Sequence, residues 1–413
     1  MLKDMYSQFA ADPFPENLEI AFTDANGKRM SIEYSKVQFD IEGEKLGLRY
    51  GENPDQPASL YRMVHGNVTL GELELVSAGE PLSSQPLLLK SGKHPSKINI
   101  TDVDSALQIL KYLSYKPACV IVKHNNPSGA AVGESLESAF SRALQADRIA
   151  AFGGAVVVNR TLDKAAAEAI MEGYVEVVAA PDFADGVLSI LEKRKNLRVL
   201  QIKAMDRLES LQLQPSLEFS SLIDGGIIVQ RGFVSAIRKV EDFLPAKTER
   251  KGQKYAVDRQ PTAKELDDML FGWLVESGIT SNSVIYVKDG CTVGIGTGEQ
   301  DRVGVAEIAR DKAYRKFADR LANEQYGKSL LLLEAEARRE LEAESARLHG
   351  GLVGSVMISD AFFPFRDGAE VGLQEGVSAI AQPGGSLRDF EVIEAVNEYK
   401  ATMVFTGQRS FRH

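Results

Sequence analysis

An α/β fold is what this sequence predicts, and two patterns carry the expectation. Short apolar runs at 118–122, 155–158 and 283–287 read as buried strands, and stretches of helical period at 102–113, 136–145 and 263–275 alternate with them. Length sets the scale. A chain of 413 residues exceeds one core of ordinary size, so two or three subdomains are expected.

The elements follow in order. Apolar runs at 18–22 and 32–34 flank Asp24-Ala25-Asn26-Gly27, a turn signal that predicts a hairpin. A helix over 102–113 precedes the strand 118–122, which delivers Lys123 and His124 into a turn of Asn125, Asn126, Pro127 and Gly129. A helix over 136–145 and a strand over 155–158 come next. Residues 244–261 are polar and basic and read as a loop or mobile excursion. Thr262-Ala263-Lys264-Glu265 is a capping box that opens a helix through 275. The strand that follows ends in Ile285-Tyr286-Val287-Lys288-Asp289, an echo of Ile121-Val122-Lys123-His124. Residues 304–347 read as a charge-laced helical excursion with a structural or dimer-contact role, Glu334 and Arg338 standing at the spacing that pairs side chains on one face.

Composition excludes several classes. A net charge of -10 argues against a broad nucleic-acid surface, though a few converging arginines still hold a small phosphate. Two distant cysteines, Cys119 and Cys291, exclude a disulfide scaffold and a Cys-rich zinc site. Met1-Leu2-Lys3-Asp4-Met5 lacks the apolar core of a signal peptide, and no run approaches the roughly 20 apolar residues that span a bilayer. A cytoplasmic address without membrane contact is expected.

Lys123 and His124 are the leading catalytic candidates. A lasting cation beside a group that titrates near neutrality suits holding an oxyanion while a proton moves. The plain alternative is an exposed dipeptide at a strand end. Gly294-Ile295-Gly296-Thr297-Gly298 does not have the dinucleotide spacing, no helix is evident after it, and no acidic ribose contact follows.

Longer motifs decide between these readings. They are Arg49-Tyr50-Gly51-Glu52-Asn53-Pro54-Asp55-Gln56, Lys123-His124-Asn125-Asn126-Pro127-Ser128-Gly129, Asp147-Arg148-Ile149-Ala150-Ala151-Phe152-Gly153-Gly154, Ser281-Asn282-Ser283, Ser359-Asp360-Ala361-Phe362-Phe363-Pro364-Phe365-Arg366-Asp367-Gly368 and Phe405-Thr406-Gly407-Gln408-Arg409-Ser410-Phe411. In this order and spacing, from about Gly47 to His413, the chain resembles the transformylase part of the bifunctional AICAR formyltransferase/IMP cyclohydrolase family.

The resemblance implies duplicated cytidine-deaminase-like three-layer subdomains, here over 46–205 and 206–413 after an N-terminal hairpin extension over 1–45. It implies formyl transfer from 10-formyltetrahydrofolate to the 5-amino group of AICAR, giving FAICAR in de novo purine biosynthesis. By resemblance His124 is the base and Lys123 steadies the tetrahedral oxyanion. Arg49, Tyr50, Gly51, Asn99, Glu176, Asn282 and Arg409 match nucleotide positions. Ile149, Phe152, Arg302, Pro364, Phe365 and Asp367 match the folate pocket, two rings of the Phe362, Phe363 and Phe365 run being expected in the core. Ser281, Ser283 and Asp360 match a structural potassium site. The deaminase zinc motif, His-x-Glu with paired cysteines, is missing, so no zinc is expected. The family pocket is completed in a homodimer. The 48 residues ahead of Arg49 are too few for the cyclohydrolase domain, so a stand-alone transformylase is expected, with a separate IMP cyclohydrolase in the pathway. One departure is Asp55, where family members usually carry His. It keeps two alternatives open: a different formyl donor, or a non-catalytic protein that binds purine intermediates.

Overall fold

A computed structural model of the protein describes residues 12–70, 73–74, 78–90 and 93–413, so the part of the extension expected over 1–11 lies outside the described residues. An antiparallel sheet comes first, formed by β1 (Asn17–Thr23), β2 (Arg29–Val37) and β3 (Leu60–Gly66), with the expected hairpin closed around Asp24 and Gly27. Its buried side is small: Met30, Ile32 and Val68, with Phe22, Tyr34 and Met63 against them.

From there the chain runs twice through one order of elements. The first run is β4 (Leu87–Lys90), α1 (Lys97–Leu110), the hairpin β5 (Ala118–Lys123) and β6 (Asn126–Val132), α2 (Leu136–Ala146), the short α3 (Arg148–Ala151), β7 (Ala155–Val158), α4 (Lys164–Glu172), β8 (Val177–Ala180), α5 (Val187–Leu191) and β9 (Arg198–Gln201). A two-stranded hairpin, β10 (Leu217–Ser221) and β11 (Ile227–Arg231), separates the runs.

The second run is β12 (Leu244–Pro245), an inserted hairpin β13 (Lys247–Arg250) and β14 (Gln253–Ala256), α6 (Ala263–Glu276), the hairpin β15 (Val284–Lys288) and β16 (Cys291–Gly296), and α7 (Arg302–Tyr326). It continues through α8 (Ala335–Arg347), β17 (Val356–Ser359), α9 (Arg366–Leu373), β18 (Ala379–Gln382), α10 (Asp389–Glu398) and β19 (Thr402–Phe405). Strand, helix, hairpin, helix and then three strands with helices between them occur in both runs. The duplicated α/β unit is thus visible in the element order.

The equivalence reaches single residues. Both central hairpins close with two-residue loops whose residues lie at positive φ: His124 and Asn125 in one, Asp289 and Gly290 in the other. That backbone matches the twist of the strands it joins. In each run the hairpin's second strand then meets the next helix closely. A Cβ on Gly129 would stand 2.0 Å from the Ala143 carbonyl oxygen, and one on Gly296 2.2 Å from that of Val305. The Gly-rich stretch 294–298 therefore serves helix packing, and a helix does follow it, capped by Asp301 through Gly304 N–H.

Contacts gather into two compact units that interleave along the chain: residues up to Ser114 with Gly153–Val234, and Tyr115–Phe152 with Ser235–His413. The sequence expectation sets apart 1–45 and separates the two subdomains once, at 205/206. Pairing moves segment 115–152 into the second unit, where Ala131 of β6 bonds opposite Cys291 of β16. In the first unit β7, β8 and β9 are parallel, with β4 antiparallel at the edge. In the second unit the order is β12-β19-β18-β17-β15-β16-β6-β5.

Helices cover both faces of that sheet. Tyr286 OH donates to the Ala306 carbonyl of α7 at 3.3 Å, while the adjacent Val287 packs on Gly272 of α6. Neighbouring strand residues point to opposite faces, so α6 and α7 form separate layers. The core between sheet and α7 holds Tyr286, Val305, Ala309, Phe363 and Ile380, each fully burying its side chain at about 1.5–3 kcal/mol for the larger ones.

Two sequence expectations need correction. Segment 244–261 is ordered: Leu244 pairs with Phe405, β13 pairs with β14, and Arg259 clamps Glu265 with two 2.8 Å bonds. Its strands are mostly exposed, so the apolar alternation that reveals a half-buried strand is missing. The 304–347 excursion is two helices, the first stopped at Gly327 in the left-handed region. Glu334 is the residue before α8, and the Arg338 guanidinium donates to the carbonyls of Leu331 and Leu333.

Candidate active site

The β5–β6 hairpin places Lys123 and His124 on the wall of a cavity of about 370 Å³, with Asn126, Asp147, Thr297 and Lys312 among its other lining residues. Lys123 Nζ donates to the Phe152 carbonyl at 2.8 Å, leaving two ammonium hydrogens for a substrate. Asn126 fixes the hairpin: its Oδ1 accepts from Thr280 N–H at 2.9 Å and from Thr297 Oγ1 at 3.3 Å. Asp147 caps α3 through Ala150 N–H and pairs with Lys316 at 2.8 Å. Burial lowers the Lys312 pKa from its ordinary value; Asp147 opposes this and Lys316 and Arg315 add to it.

A second cluster stands in the first unit around the start of α1. Ser96 and Asn99 form a capping box, and Arg49-Tyr50 is strapped beside it by Arg49 N–H to Pro95 O and Lys97 N–H to Tyr50 O, both 2.9 Å. The Arg49 guanidinium lies 4.6 Å over the Tyr50 ring and donates to Tyr50 OH at 2.8 Å. Gly51 N–H closes a turn on Gln56 O, which leaves Asp55 exposed. Asn99 Nδ2 and Arg198 Nη1 both reach Glu176 Oε2, at 3.5 and 3.4 Å. His94 donates from Nδ1 to Gly47 O at 2.6 Å. Burial, against that hydrogen bond, lowers the His94 pKa, and the Arg49 and Arg198 charges lower it further.

Asn282, Arg302, Ser281, Ser283 and Asp360 come together as one buried network. The Arg302 guanidinium donates to Asp360 Oδ1, to Ser283 O and Ser359 Oγ at 3.2 and 3.1 Å, and to Asn282 Oδ1 at 2.8 Å. Asn282 Nδ2 donates to Gln300 O. Arg302, expected toward the folate, is thus committed inside the fold. The C-terminal segment laces onto the same network through Ser410 N–H to Asp360 O and Ser281 N–H to Arg412 O.

Buried oxygens crowd this corner. Ser281 Oγ donates to Asp360 Oδ2, and Ser283 Oγ and both oxygens of the fully buried Glu276 lack a well-formed hydrogen bond. Burial, then the Asp360 charge, pushes the Glu276 carboxyl well above its ordinary range, against Ser283 and Arg302. Two carboxyls facing one guanidinium leave one negative charge for a proton or a monovalent cation to balance.

The expected folate residues lie on exposed edges of the second unit. Ile149 and Phe152 stand at α3; Pro364, Phe365 and Asp367 stand at the start of α9, where Arg388 lies 4.9 Å over the Phe365 ring. Only Phe363 of the three rings is core. Phe362 and Phe365 are 40% and 50% exposed, so one ring packs inside where two were expected. Arg409 is exposed, stacks over Phe411 at 4.7 Å, and does not line the Lys123–His124 cavity.

Comparison with known families decides what these sites belong to. Residues 16–312 match the family model described as AICARFT/IMPCHase bienzyme, well over half of the chain. The chain belongs to this family. Membership makes it a protein of an enzyme family of purine biosynthesis. The match takes in β1 and β2, which the sequence reading sets apart as an extension, and it stops before the motifs at 359–368 and 405–411.

For an AICARFT/IMPCHase family member, three contributors at these sites have no signal in the one-dimensional pattern. Arg198 opens an apolar strand, Lys312 is one of many charges on α7, and His94 sits in a polar connection. Only their convergence singles them out. No helix among the described residues is long and apolar enough to cross a membrane.

Proposed function

We propose that this chain transfers the formyl group of 10-formyltetrahydrofolate to the 5-amino group of AICAR, giving FAICAR and tetrahydrofolate. The observation that carries the reading is Lys123 and His124 side by side on the wall of one cavity in a chain of this family. The amine nitrogen attacks the formyl carbon while His124 takes the proton that nitrogen must lose. Lys123 holds the oxyanion of the tetrahedral intermediate. Collapse breaks the bond to the folate nitrogen, and the proton returns there from the imidazolium.

Arg49, Tyr50, Gly51, Asn99 and Glu176, with Asn282 and Arg409, are the proposed nucleotide ligands; Ile149, Phe152, Pro364, Phe365 and Asp367 are the proposed folate contacts. Arg302 takes a positioning role through Asn282 and Asp360. Potassium, held by Ser281, Ser283 and Asp360, would supply charge balance. Ring closure to IMP is assigned to a separate cyclohydrolase. A homodimer is proposed as the working form; the exposed β10–β11 hairpin, with Leu222, Ile223, Ile227 and Ile228, offers it an apolar surface.

One assay tests the reading. Purified protein with AICAR and 10-formyltetrahydrofolate should release tetrahydrofolate, followed by absorbance, and should form no IMP. FAICAR formed only with another formyl donor would select the donor alternative, and no turnover with any donor would leave a binding protein.

A further inference from the structure

A cavity of about 800 Å³ opens in the second unit beside the β15–β16 hairpin. It stands to that hairpin as the Lys123–His124 cavity stands to β5–β6. In each case the last residue of the first strand, the residue after it and the first three of the second strand line the wall: Lys123, His124 and 126–128 in one, Lys288, Asp289 and 291–293 in the other. The lysines are anchored alike. Lys123 Nζ donates to Phe152 O and Lys288 Nζ to Val353 O, both at 2.8 Å, and each acceptor is the third residue before the strand that follows, β7 or β17. The duplication of the fold therefore extends to the cavity. What differs is the base. Asp289 takes the place of His124, and its carboxylate pairs with Lys264 at 2.7 Å. That hydrogen bond, against burial, holds the Asp289 carboxyl below its ordinary value, so it stays ionised near neutrality. The second cavity keeps an anchored ammonium and lacks a proton carrier.

Its charge is out of keeping with the chain. Arg142, Lys288, Lys316, Arg320 and Arg347 line it against Asp289 and Glu324, in a protein of net charge -10. Three of these cations have carboxylate partners: Lys316 has Asp147, Arg347 has Glu344, and Arg320 has Glu324 at 3.7 Å. Arg142 and Lys288 form no ion pair with a carboxylate among the described residues. Their hydrogen bonds run to main-chain carbonyls, Arg142 to those of Val132 and Asp289 and Lys288 to that of Val353. Such bonds fix a cation without neutralising it. Because Arg142 is bonded to the residue next to Lys288, the two charges share one corner. Val293, Ala313, Phe317, Leu348 and Val353 supply an apolar wall. We propose that this cavity binds a small organic phosphate monoester without transforming it, its dianion at Arg142 and Lys288 and its organic part against the apolar wall. A planar fork and a compact ammonium both suit phosphate oxygens, and two charges answer two. The volume is that of an ordinary small-ligand site. The proposed formyl transfer uses none of these groups, so the two readings stand or fall separately.

Phenyl phosphate is the probe, used on the full chain, because it joins a monoester dianion to one flat apolar ring. Titration calorimetry should show it bound by the wild type and equally by Lys123→Met, which alters the other cavity. Lys288→Met and Arg320→Gln should each weaken it by about tenfold to a hundredfold, the loss expected for one hydrogen bond to a charged group. Benzoate, which keeps the ring and carries one charge, should bind the wild type about tenfold more weakly or worse. A merely structural Lys288, pinning its hairpin to Val353, predicts a less stable Lys288→Met with unchanged affinity, and that overturns the proposal. Binding lost in Lys123→Met and kept in Lys288→Met also overturns it, by moving the anion to the catalytic cavity. So does benzoate bound as tightly as phenyl phosphate, or a wild type that binds neither. If Lys288→Met does not fold, Arg320→Gln decides in the same way, since the Arg320 side chain is 33% exposed and its one ion pair is the 3.7 Å contact with Glu324.

Discussion

The ammonium of Lys123 donates a 2.8 Å hydrogen bond to the carbonyl oxygen of Phe152. The bond ties the end of β5 to the residue just after α3 and aims a cation along the wall of the cavity that His124 also lines. An oxyanion donor held this way acts without having to be reorganised as charge develops. Lys123→Met should therefore lower kcat by about a hundredfold to a thousandfold with little change in KM. Lys123→Arg should not rescue it, because a planar fork cannot keep both the carbonyl bond and the compact point charge. Steady-state kinetics with AICAR varied check this, and a kcat within a few-fold of wild type in Lys123→Met removes Lys123 from the chemistry.

His124 stands at φ 55, a backbone region that costs a non-glycine residue about 1 kcal/mol or more. A histidine kept at a strained turn position that glycine fills without cost is expected to be there for its imidazole. His124→Gly should gain about 1 kcal/mol in urea unfolding while losing turnover by about a hundredfold to ten-thousandfold. His124→Ala should lose the same turnover without the stability gain. A stabilised His124→Gly that keeps its rate would show the imidazole to be dispensable.

The two glycine variants at the equivalent packing contacts test the duplication. A methyl group on Gly129 meets the backbone of α2, and one on Gly296 meets the backbone of α7, neither of which can rotate away. Gly129→Ala and Gly296→Ala should each destabilise by about 1–3 kcal/mol, as overpacking does. Gly298→Ala, at φ 72 with open space around it, should cost about 1 kcal/mol through its backbone alone. Chemical denaturation of the three variants ranks them, and equal losses at all three would refute the close-packing account.

The alternation of apolar runs and amphipathic stretches was enough to read the α/β fold, and the echo between Val122-Lys123-His124 and Val287-Lys288-Asp289 marked two equivalent strand ends, while the returning strands β6 and β16 that make them hairpins were not among the expected elements. Local chemistry did this: strand periodicity, caps and turn residues act over a few positions. Segment 244–261 escaped because its hairpin faces water on most positions, so nothing in its composition separates strand from loop. Arg198 escaped for a different reason. It lies about 150 residues from Arg49, and its place beside Glu176 follows from the parallel register of β8 and β9, which no local pattern encodes. Arg302 was placed toward the folate by resemblance alone; its pairing with Asp360, 58 positions away, follows from the tertiary fold and has no local signal.

That pair has a stability consequence. The side chains of Arg302 and Asp360 are 8% and 0% exposed, and Arg302 also anchors Ser283, Ser359 and Asn282. Removing one member leaves a buried charge without its partner, a loss of about 3–5 kcal/mol. Arg302→Met should unfold at markedly lower urea, and Arg302→Met combined with Asp360→Asn should recover part of the loss. An Arg302→Met protein with wild-type stability and a raised KM for folate alone would return Arg302 to the folate pocket.

His94 gives the pH dependence. Its Nδ1–H is held by Gly47 O, and its surroundings are burial and the two guanidiniums of Arg49 and Arg198, with Glu176 beyond Arg198. These hold its pKa below the ordinary 6.5 in the folded protein. Above that value His94 is neutral whether folded or unfolded, and its contribution is complete. As pH falls below 6.5 the unfolded chain takes up a proton that the native site resists, so native stability declines until the lower folded pKa is reached. Urea unfolding from about pH 7.5 down to about pH 5.5 should show this loss in the wild type, and His94→Gln, which keeps a donor for Gly47 O but cannot titrate, should flatten it. An identical pH slope in the two proteins would remove His94 from the pH dependence.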